Sequence, residues 1–347
     1  MTDNGYIVGS NLEKALKAGY FVATGELGPP QSADRHEIEH KAKFLKGIVE
    51  SVNITDCQTA VVRMSSISVA VILLELGIEP NIQMTCRDRN RIAIQSDLLG
   101  AYALGCRNLL CLTGDHQTFG NHPQSKNVHD LDSISLLQMC RDMRDKKVFQ
   151  CGDPIKGQEP RFFLGAAANP FADPFDFRPY RLGKKVAAGA DFIQTQLIFN
   201  VPKFREFMRC VVDLGLHEKV YILAGVGPIK SLAAAQYMAT KVPGMEVDPE
   251  YIERMKNATK GLPSLAEIKN MPPQEAAEAR RLRKEASEAE GIRICVEIIN
   301  DCKQIEGVHG VHIMAIEWEE AVDQIVRQAQ IGPKYDPARQ KAAIQTD

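Results

Sequence analysis

Short runs rich in β-branched, aromatic and other apolar residues recur along the chain, and amphipathic stretches separate them. This alternation is typical of a parallel α/β sheet, because each crossover from one strand to the next passes through a helix. We therefore expect eight strands. The runs lie at residues 20–24, 51–55, 81–86, 108–113, 162–168, 191–199, 220–226 and 310–315.

Helical spacing of apolar residues is clearest between these runs. Eight strands with intervening helices close naturally into a single (β/α)₈ TIM barrel. The alternative, a doubly wound open sheet, usually carries a Gly-x-Gly-x-x-Gly turn after its first strand, and that turn is missing here. We predict an α/β TIM barrel over residues 1–330 with a C-terminal tail at 331–347. The helical stretches are 36–50, 91–105, 201–215 and 275–307.

Three connections exceed the usual loop length, at residues 114–133, 145–161 and 240–285. Long βα loops on a barrel usually carry function, because the active sites of such barrels lie at the C-terminal ends of the strands. Polar residues at the predicted strand ends are therefore candidates for chemistry. They are Glu26, Thr55, Thr85 with Arg87 and Asp88, Asp115, Asn169, Gln196 and Glu317.

Composition narrows the classes of partner. The 347 residues carry a net charge of −2, which gives no basic surface for nucleic acid. No apolar stretch reaches the roughly 20 residues of a membrane span and the first residues lack a secretory pattern, so we expect a cytoplasmic protein without membrane insertion. The nine cysteines form no Cys-x-x-Cys pair. His36 and His40 match the His-Glu-x-x-His pattern without an apparent third ligand, so we predict no metal site.

Several motifs, in order, resemble those of one known family. Residues 25–30 (GELGPP), 83–90 (QMTCRDRN) and 112–115 (LTGD) resemble segments of the methylenetetrahydrofolate reductases at the ends of their first, third and fourth strands. Residues 162–174, 184–200, 223–229 and 307–320 resemble the later segments. The resemblance covers about residues 20 to 320. It implies a flavin-dependent reduction of 5,10-methylenetetrahydrofolate to 5-methyltetrahydrofolate in one-carbon metabolism.

The resemblance also assigns roles to individual residues. Glu26 would be the general acid that protonates N10 of the folate, and Asp115 would stabilise the resulting cation beside the flavin. Gln196 would bind the pterin. The flavin, FAD or FMN, would be lined by Thr55, Ala167, Asn169 and Lys185.

The sequence departs from the family pattern at four positions. Gln83, Asn169 and Asp173 stand where familiar members have a histidine, a tyrosine and a second histidine at the flavin, and Leu232 stands where an aromatic side chain stacks on both substrates. These departures leave FAD and FMN both open as the cofactor.

Two electron donors are compatible with the resemblance. The loop at 114–133 is similar to that of the anaerobic branch of the family, which implies an iron–sulfur partner subunit and hence a hetero-complex or oligomer; the alternative is NAD(P)H bound directly. Two other functions also remain open. One is a pterin-binding barrel that transfers a methyl group with a corrinoid protein, and the other is a folate- or flavin-binding subunit without turnover.

Overall fold

Eight parallel strands form a closed barrel in the computed structural model, which describes residues 5–242 and 244–333. Neighbours in sequence are neighbours in the barrel, and the last strand pairs with the first, so the predicted (β/α)₈ barrel is confirmed. Residues 334–347 of the predicted tail lie outside the described residues. The strands are β1 (Val22–Leu27), β2 (Ser51–Ile54), β3 (Pro80–Thr85), β4 (Asn108–Leu112), β5 (Phe163–Ala168), β6 (Phe192–Leu197), β7 (Tyr221–Val226) and β8 (Val308–Ile313).

Helices surround the barrel and precede, separate or follow the strands. Side chains of Ser, Asp and Asn residues cap many of their N-termini; Asn90, for example, accepts the N–H groups of Ile92 and Ala93. The helices are α1 (Asn11–Lys17), α2 (Arg35–Ala42), α3 (Ser66–Glu75), α4 (Arg91–Ala103), α5 (Ser133–Asp145), α6 (Arg178–Ala188), α7 (Val201–Asp213), α8 (Leu232–Lys241), α9 (Pro249–Asn257), α10 (Leu265–Ile268), α11 (Pro273–Cys302) and α12 (Ala321–Gln328).

Three local predictions differ from the structure. The first strand, expected at 20–24, is β1, and its pairing with β2 continues through Glu26, which faces Asn53 in the register. Glu26 therefore belongs to the strand itself. The helix expected over 36–50 ends at Ala42, followed by turns that include Gly47 with a positive φ of 71°. The long connection expected at 240–285 contains α9, α10 and the first turns of α11.

Helix α1 closes the N-terminal end of the barrel. Its residues Leu12 and Leu16 pack with apolar side chains of the strands, among them Phe163 and Phe192, whose rings stack with centroids 5.2 Å apart. A side chain at Gly165 would overlap the Phe192 ring, so this glycine makes room for the stack. The bottom of the barrel is thus filled with apolar side chains, and its opposite end is the one available for a ligand.

A larger apolar core lies between the outer faces of the strands and the helices around them. Nearly all of its strand residues are Val, Ile, Leu, Met, Cys or Ala, as expected for strands that are buried on both faces. Among the described residues, no helix combines the length and the apolar character that a membrane crossing requires.

Helix α11 lies directly against the turn between β7 and α8. The contact depends on Gly291, because a Cβ atom there would overlap the carbonyl oxygen of Ile229. Gly183 of α6 offers a contrast, since a Cβ atom there would lie 3.5 Å from the nearest atom, Leu216 Cδ1. The first glycine is required by packing, whereas the second is not.

We predict that Gly291→Ala lowers the free energy of unfolding by about 1–3 kcal/mol, because the added methyl group must push α11 away from the turn. Gly183→Ala is the matched control and should raise that free energy by up to about 1 kcal/mol through helix propensity. Urea unfolding of both variants checks the pair. Equal effects of the two substitutions would contradict the packing described here.

Candidate functional site at the barrel mouth

A cavity of about 340 Å³ opens at the C-terminal end of the barrel. Every strand except β7 contributes to its wall or floor, and α6 supplies one side. Six of the residues that the sequence singled out line this cavity: Glu26, Gln83, Ala167, Asn169, Lys185 and Gln196. Five residues that were not predicted from the sequence also line it: Asn53, Arg178, Arg181, Gln194 and His312.

Asp115 does not line this cavity. It is exposed on the loop after β4, where its carboxylate accepts a hydrogen bond from the Thr59 N–H at 3.0 Å. The buried guanidinium of Arg87 donates to the Asp115 carbonyl at 3.1 Å and to the Cys57 carbonyl at 3.2 Å. The loops after β2 and β4 are thereby fastened together, and Asp115 is held at the rim.

Three other predicted residues also lie outside the cavity wall. Thr55 follows β2 and is buried, and within the described chain its hydroxyl has no hydrogen-bond partner. Asp173 precedes Pro174, and its carbonyl accepts a hydrogen bond from Arg178. Leu232 begins α8 and packs half-buried against the large apolar core.

Glu26 is the one carboxylate on the floor of the cavity, among the residues that the structure describes. Its carboxylate oxygen Oε2 lies 3.5 Å from Nε2 of His312, an almost fully buried histidine of β8. The other ring nitrogen, Nδ1, lies 3.0 Å from the hydroxyl of Thr24 on β1. The pairing of β1 with β8 brings these three side chains together and orients the Glu26 carboxyl toward the cavity.

Three cationic side chains of α6 line the opposite wall: Arg178, Arg181 and Lys185. Lys185 is buried and donates a hydrogen bond to the Ala167 carbonyl. Within the described residues no carboxylate lies at ion-pair distance from its ammonium group. Burial, with a smaller contribution from Arg181, lowers the pKa of Lys185 to about 8. A buried cation without a counter-ion is costly, so this wall favours an anionic ligand.

Amide side chains complete the wall between the carboxyl group and the cations. Asn169 Oδ1 accepts from the Phe171 N–H at 3.2 Å, and Gln196 Oε1 accepts from the Leu197 N–H at 3.0 Å. Because their oxygens are engaged, the amide nitrogens of both side chains are left to donate into the cavity. Such donors suit the carbonyl-rich ring of a flavin or a pterin, and the cations suit a phosphate.

The comparisons with known proteins agree with this architecture. The family model described as methylenetetrahydrofolate reductase matches residues 11–330. The chain belongs to the methylenetetrahydrofolate reductase family.

Two curated relatives give the scale of the likeness. A probable methylenetetrahydrofolate reductase (NADPH) of Caenorhabditis elegans is 28% identical over 193 residues, covering 54% of this chain and 26% of the relative. Methylenetetrahydrofolate reductase 2 of Schizosaccharomyces pombe is 26% identical over 262 residues, covering 71% of this chain and 35% of the relative. The aligned part is therefore about a third or less of the length of these relatives.

A solved structure shares the fold. It is an uncharacterized protein from Clostridium thermocellum that binds two copies of 5-methyl-5,6,7,8-tetrahydrofolic acid. The TM-score is 0.55 at 14% sequence identity, and the match covers 90% of this chain and 97% of the other.

The described residues of this reductase-family barrel contain no group of three or more His, Cys, Asp or Glu side chains that could hold a metal ion. His36 of the His-Glu-x-x-His pattern is exposed and contacts Glu39 at 3.1 Å. The nine cysteines are free thiols, most of them buried.

We predict that the affinity for FMN falls by roughly tenfold when the pH rises through about 8, because Lys185 then loses the proton that makes it a cation. The sign follows from the lowered pKa: the ammonium group is present below pH 8 and is lost above it. Fluorescence titrations of FMN across this range measure the effect, and riboflavin, which lacks the phosphate, should show little of it.

Lys185→Met should weaken FMN binding at low pH and flatten its pH dependence. Lys184→Met is the matched control, because Lys184 is exposed and its ammonium group lies over the Phe177 ring, 5.4 Å from the centroid. A pH dependence that persists unchanged in Lys185→Met would show that another group is responsible.

Proposed function

We propose that this chain catalyses the flavin-dependent reduction of 5,10-methylenetetrahydrofolate to 5-methyltetrahydrofolate. The observation that carries the proposal is the Glu26 carboxyl group, held by His312 on the floor of a cavity whose other wall is cationic. Membership of the methylenetetrahydrofolate reductase family supports it. The same fold in a protein that binds 5-methyltetrahydrofolic acid is compatible with a folate at such a mouth.

The residues of the cavity fit a flavin. Lys185, together with Arg178 and Arg181, would hold a phosphate of either FMN or FAD, and Gln83, Ala167 and Asn169 would line the ring. Thr55, whose buried hydroxyl lacks a partner in the described chain, is the remaining candidate for this contact. When bound, a reduced flavin supplies the hydride. The electrons would come from NAD(P)H or from an iron–sulfur partner subunit, in the second case within a hetero-complex.

Glu26 would act on the substrate as a general acid. A proton from its carboxyl group goes to N10 of the folate, the bond between N10 and the methylene carbon breaks, and a 5-iminium cation results. The carboxylate that remains then stabilises this cation electrostatically. Gln196 would hold the pterin by its amide group. Asp115, at the exposed rim, would add negative charge near the mouth.

The other two functions fit less well. A binding subunit without turnover has little need for a proton donor on the cavity floor. A methyltransferase that acts with a corrinoid protein needs a folate site, yet it needs no phosphate-bearing cofactor beside the three cations of α6. The reduction requires a proton donor and a phosphate-bearing cofactor. Glu26 on the cavity floor suits the first requirement, and the cations of α6 on the opposite wall suit the second.

We predict that Glu26→Gln lowers the rate of methylenetetrahydrofolate reduction by roughly 10²–10⁴-fold, because the substitution keeps the shape of the side chain and removes its acidic proton. Flavin content and chemical reduction of the flavin should be unchanged. A single-turnover experiment, in which the prereduced protein is mixed with the folate and flavin oxidation is followed, measures the step without any physiological electron donor.

Glu37→Gln is the control for this experiment, since Glu37 lies exposed on α2, is not part of the cavity lining, and accepts a hydrogen bond from the Ser32 hydroxyl. It should react like the wild-type protein. Near-normal folate turnover by Glu26→Gln would show that Glu26 is not the acid, and the proposed mechanism would then be wrong for this chain.

A further inference from the structure

A network of hydrogen bonds crosses the interior of the barrel at the base of the cavity and ends at His312. Gln194 Nε2 of β6 donates to the Thr24 hydroxyl at 3.2 Å and to Asn53 Oδ1 at 3.2 Å. Asn53 Nδ2 returns a hydrogen bond to Gln194 Oε1 at 2.6 Å. Asn81 Nδ2 of β3 donates to Asn53 Oδ1 at 2.7 Å. Side chains from β1, β2, β3, β6 and β8 are thus linked in one buried network.

The direction in which these hydrogen bonds are donated decides which nitrogen of His312 carries the proton. The Thr24 hydroxyl accepts from Gln194, and its own hydrogen has two possible acceptors: Nδ1 of His312 at 3.0 Å and the Val311 carbonyl oxygen at 3.5 Å. The contact with Nδ1 is the shorter of the two, so Nδ1 is the better acceptor. A neutral imidazole that accepts at one nitrogen carries its proton on the other. The proton of His312 therefore sits on Nε2, the nitrogen 3.5 Å from the Glu26 carboxylate.

The opposite direction of donation through the three amide side chains is less favourable. If all three amides were turned over, Asn81 would accept a hydrogen bond and leave both of its N–H groups without a partner. In the observed direction the Asn81 atom without a partner, among the described residues, is the oxygen Oδ1. Buried N–H groups without partners are rarer in proteins than carbonyl oxygens without partners, so the observed direction is preferred.

We propose that Gln194 is a positioning residue which, through Thr24, fixes the His312 tautomer that donates a hydrogen bond to Glu26. This inference rests on the proposed function for the importance of Glu26, but the tautomer itself is a property of the resting protein. An Nε2–H group holds the Glu26 carboxyl in place and stabilises the carboxylate after the proton has gone to the folate. The other tautomer would present a lone pair to that carboxylate and repel it.

Three substitutions distinguish the direction of the hydrogen-bond network from its mere presence. Gln194→Glu keeps the shape of the side chain, but an ionised carboxylate only accepts hydrogen bonds, so the Thr24 hydroxyl must donate to it and accept from Nδ1–H of His312. The tautomer should invert. Gln194→Met fills the space without any hydrogen bond, so both tautomers should be populated. Thr24→Val interrupts the same link one residue further on and should resemble Gln194→Met.

Long-range ¹H–¹⁵N correlation spectra of the purified protein identify the tautomer directly, and His312→Asn assigns the signal. His309 serves as an internal reference in every spectrum, because its Nδ1 accepts from the backbone N–H of Ile222 at 3.2 Å and is independent of Gln194. We expect Nε2–H at His312 in the wild-type protein, Nδ1–H in Gln194→Glu and a mixture in the other two variants.

The rate of folate reduction should depend on which tautomer of His312 is present. Gln194→Glu should slow single-turnover folate reduction by about 10- to 100-fold, less than the roughly 10²–10⁴-fold expected when the general acid is removed, and flavin content should not change. An Nδ1–H tautomer in the wild-type protein, or the same tautomer in the wild type, Thr24→Val and every foldable Gln194 variant, would overturn the proposal. If the tautomer changes as expected but the wild type does not reduce the folate, the positioning assignment stands and the proposed function fails.

Discussion

The site depends on the pairing of polar side chains inside the upper half of the barrel. Thr24, Asn53, Gln194 and His312 all point inward and all are buried, so each must find a hydrogen-bond partner there or destabilise the fold. They satisfy one another across strands that are distant in sequence. Glu26 is oriented by the end of this network. The position of the candidate acid is consequently a result of the barrel closing, because β1 and β8 meet only when it does.

The two ends of the barrel differ in packing and in the role that we assign to them. The N-terminal end is filled by stacked phenylalanine rings and by the apolar face of α1, which stabilise the barrel. The C-terminal end keeps a cavity of about 340 Å³, with a carboxyl group on the floor and cations on the wall. Separating the charges in this way suits a reaction that needs a proton at one place and an anionic cofactor at another.

The barrel could be predicted from the sequence because eight apolar runs alternate with helical stretches, and a run buried on both faces is conspicuous. Motif order also indicated Glu26, Gln196 and Lys185, which line the cavity in the structure. His312 was missed because one histidine within a short strand reads as an ordinary inward position. The sequence feature that could have indicated His312 is the recurrence of polar residues at inward-facing strand positions, as at Thr24 and Asn53.

Two further features of the site were not predicted from the sequence, and each has a local cause. Arg178 and Arg181 precede Lys185 by seven and four residues on α6, a helical spacing that places all three on one face and could have been noticed. The rim position of Asp115 could not have been predicted. It follows from the loop after β2, where Thr59 has a positive φ of 57° and presents its N–H to the Asp115 carboxylate. Such loop conformations depend on tertiary contacts and leave no periodic pattern.

The proposed function requires a flavin at the mouth of this barrel. It is tested most directly by the absorption spectrum of the protein purified from cells with an ample supply of flavin, followed by mass spectrometry of whatever denaturation releases. We expect a yellow protein with the bands of a bound flavin, and intact FMN or FAD, not covalently attached, in the released fraction. A colourless protein that cannot be reconstituted with either flavin would contradict it.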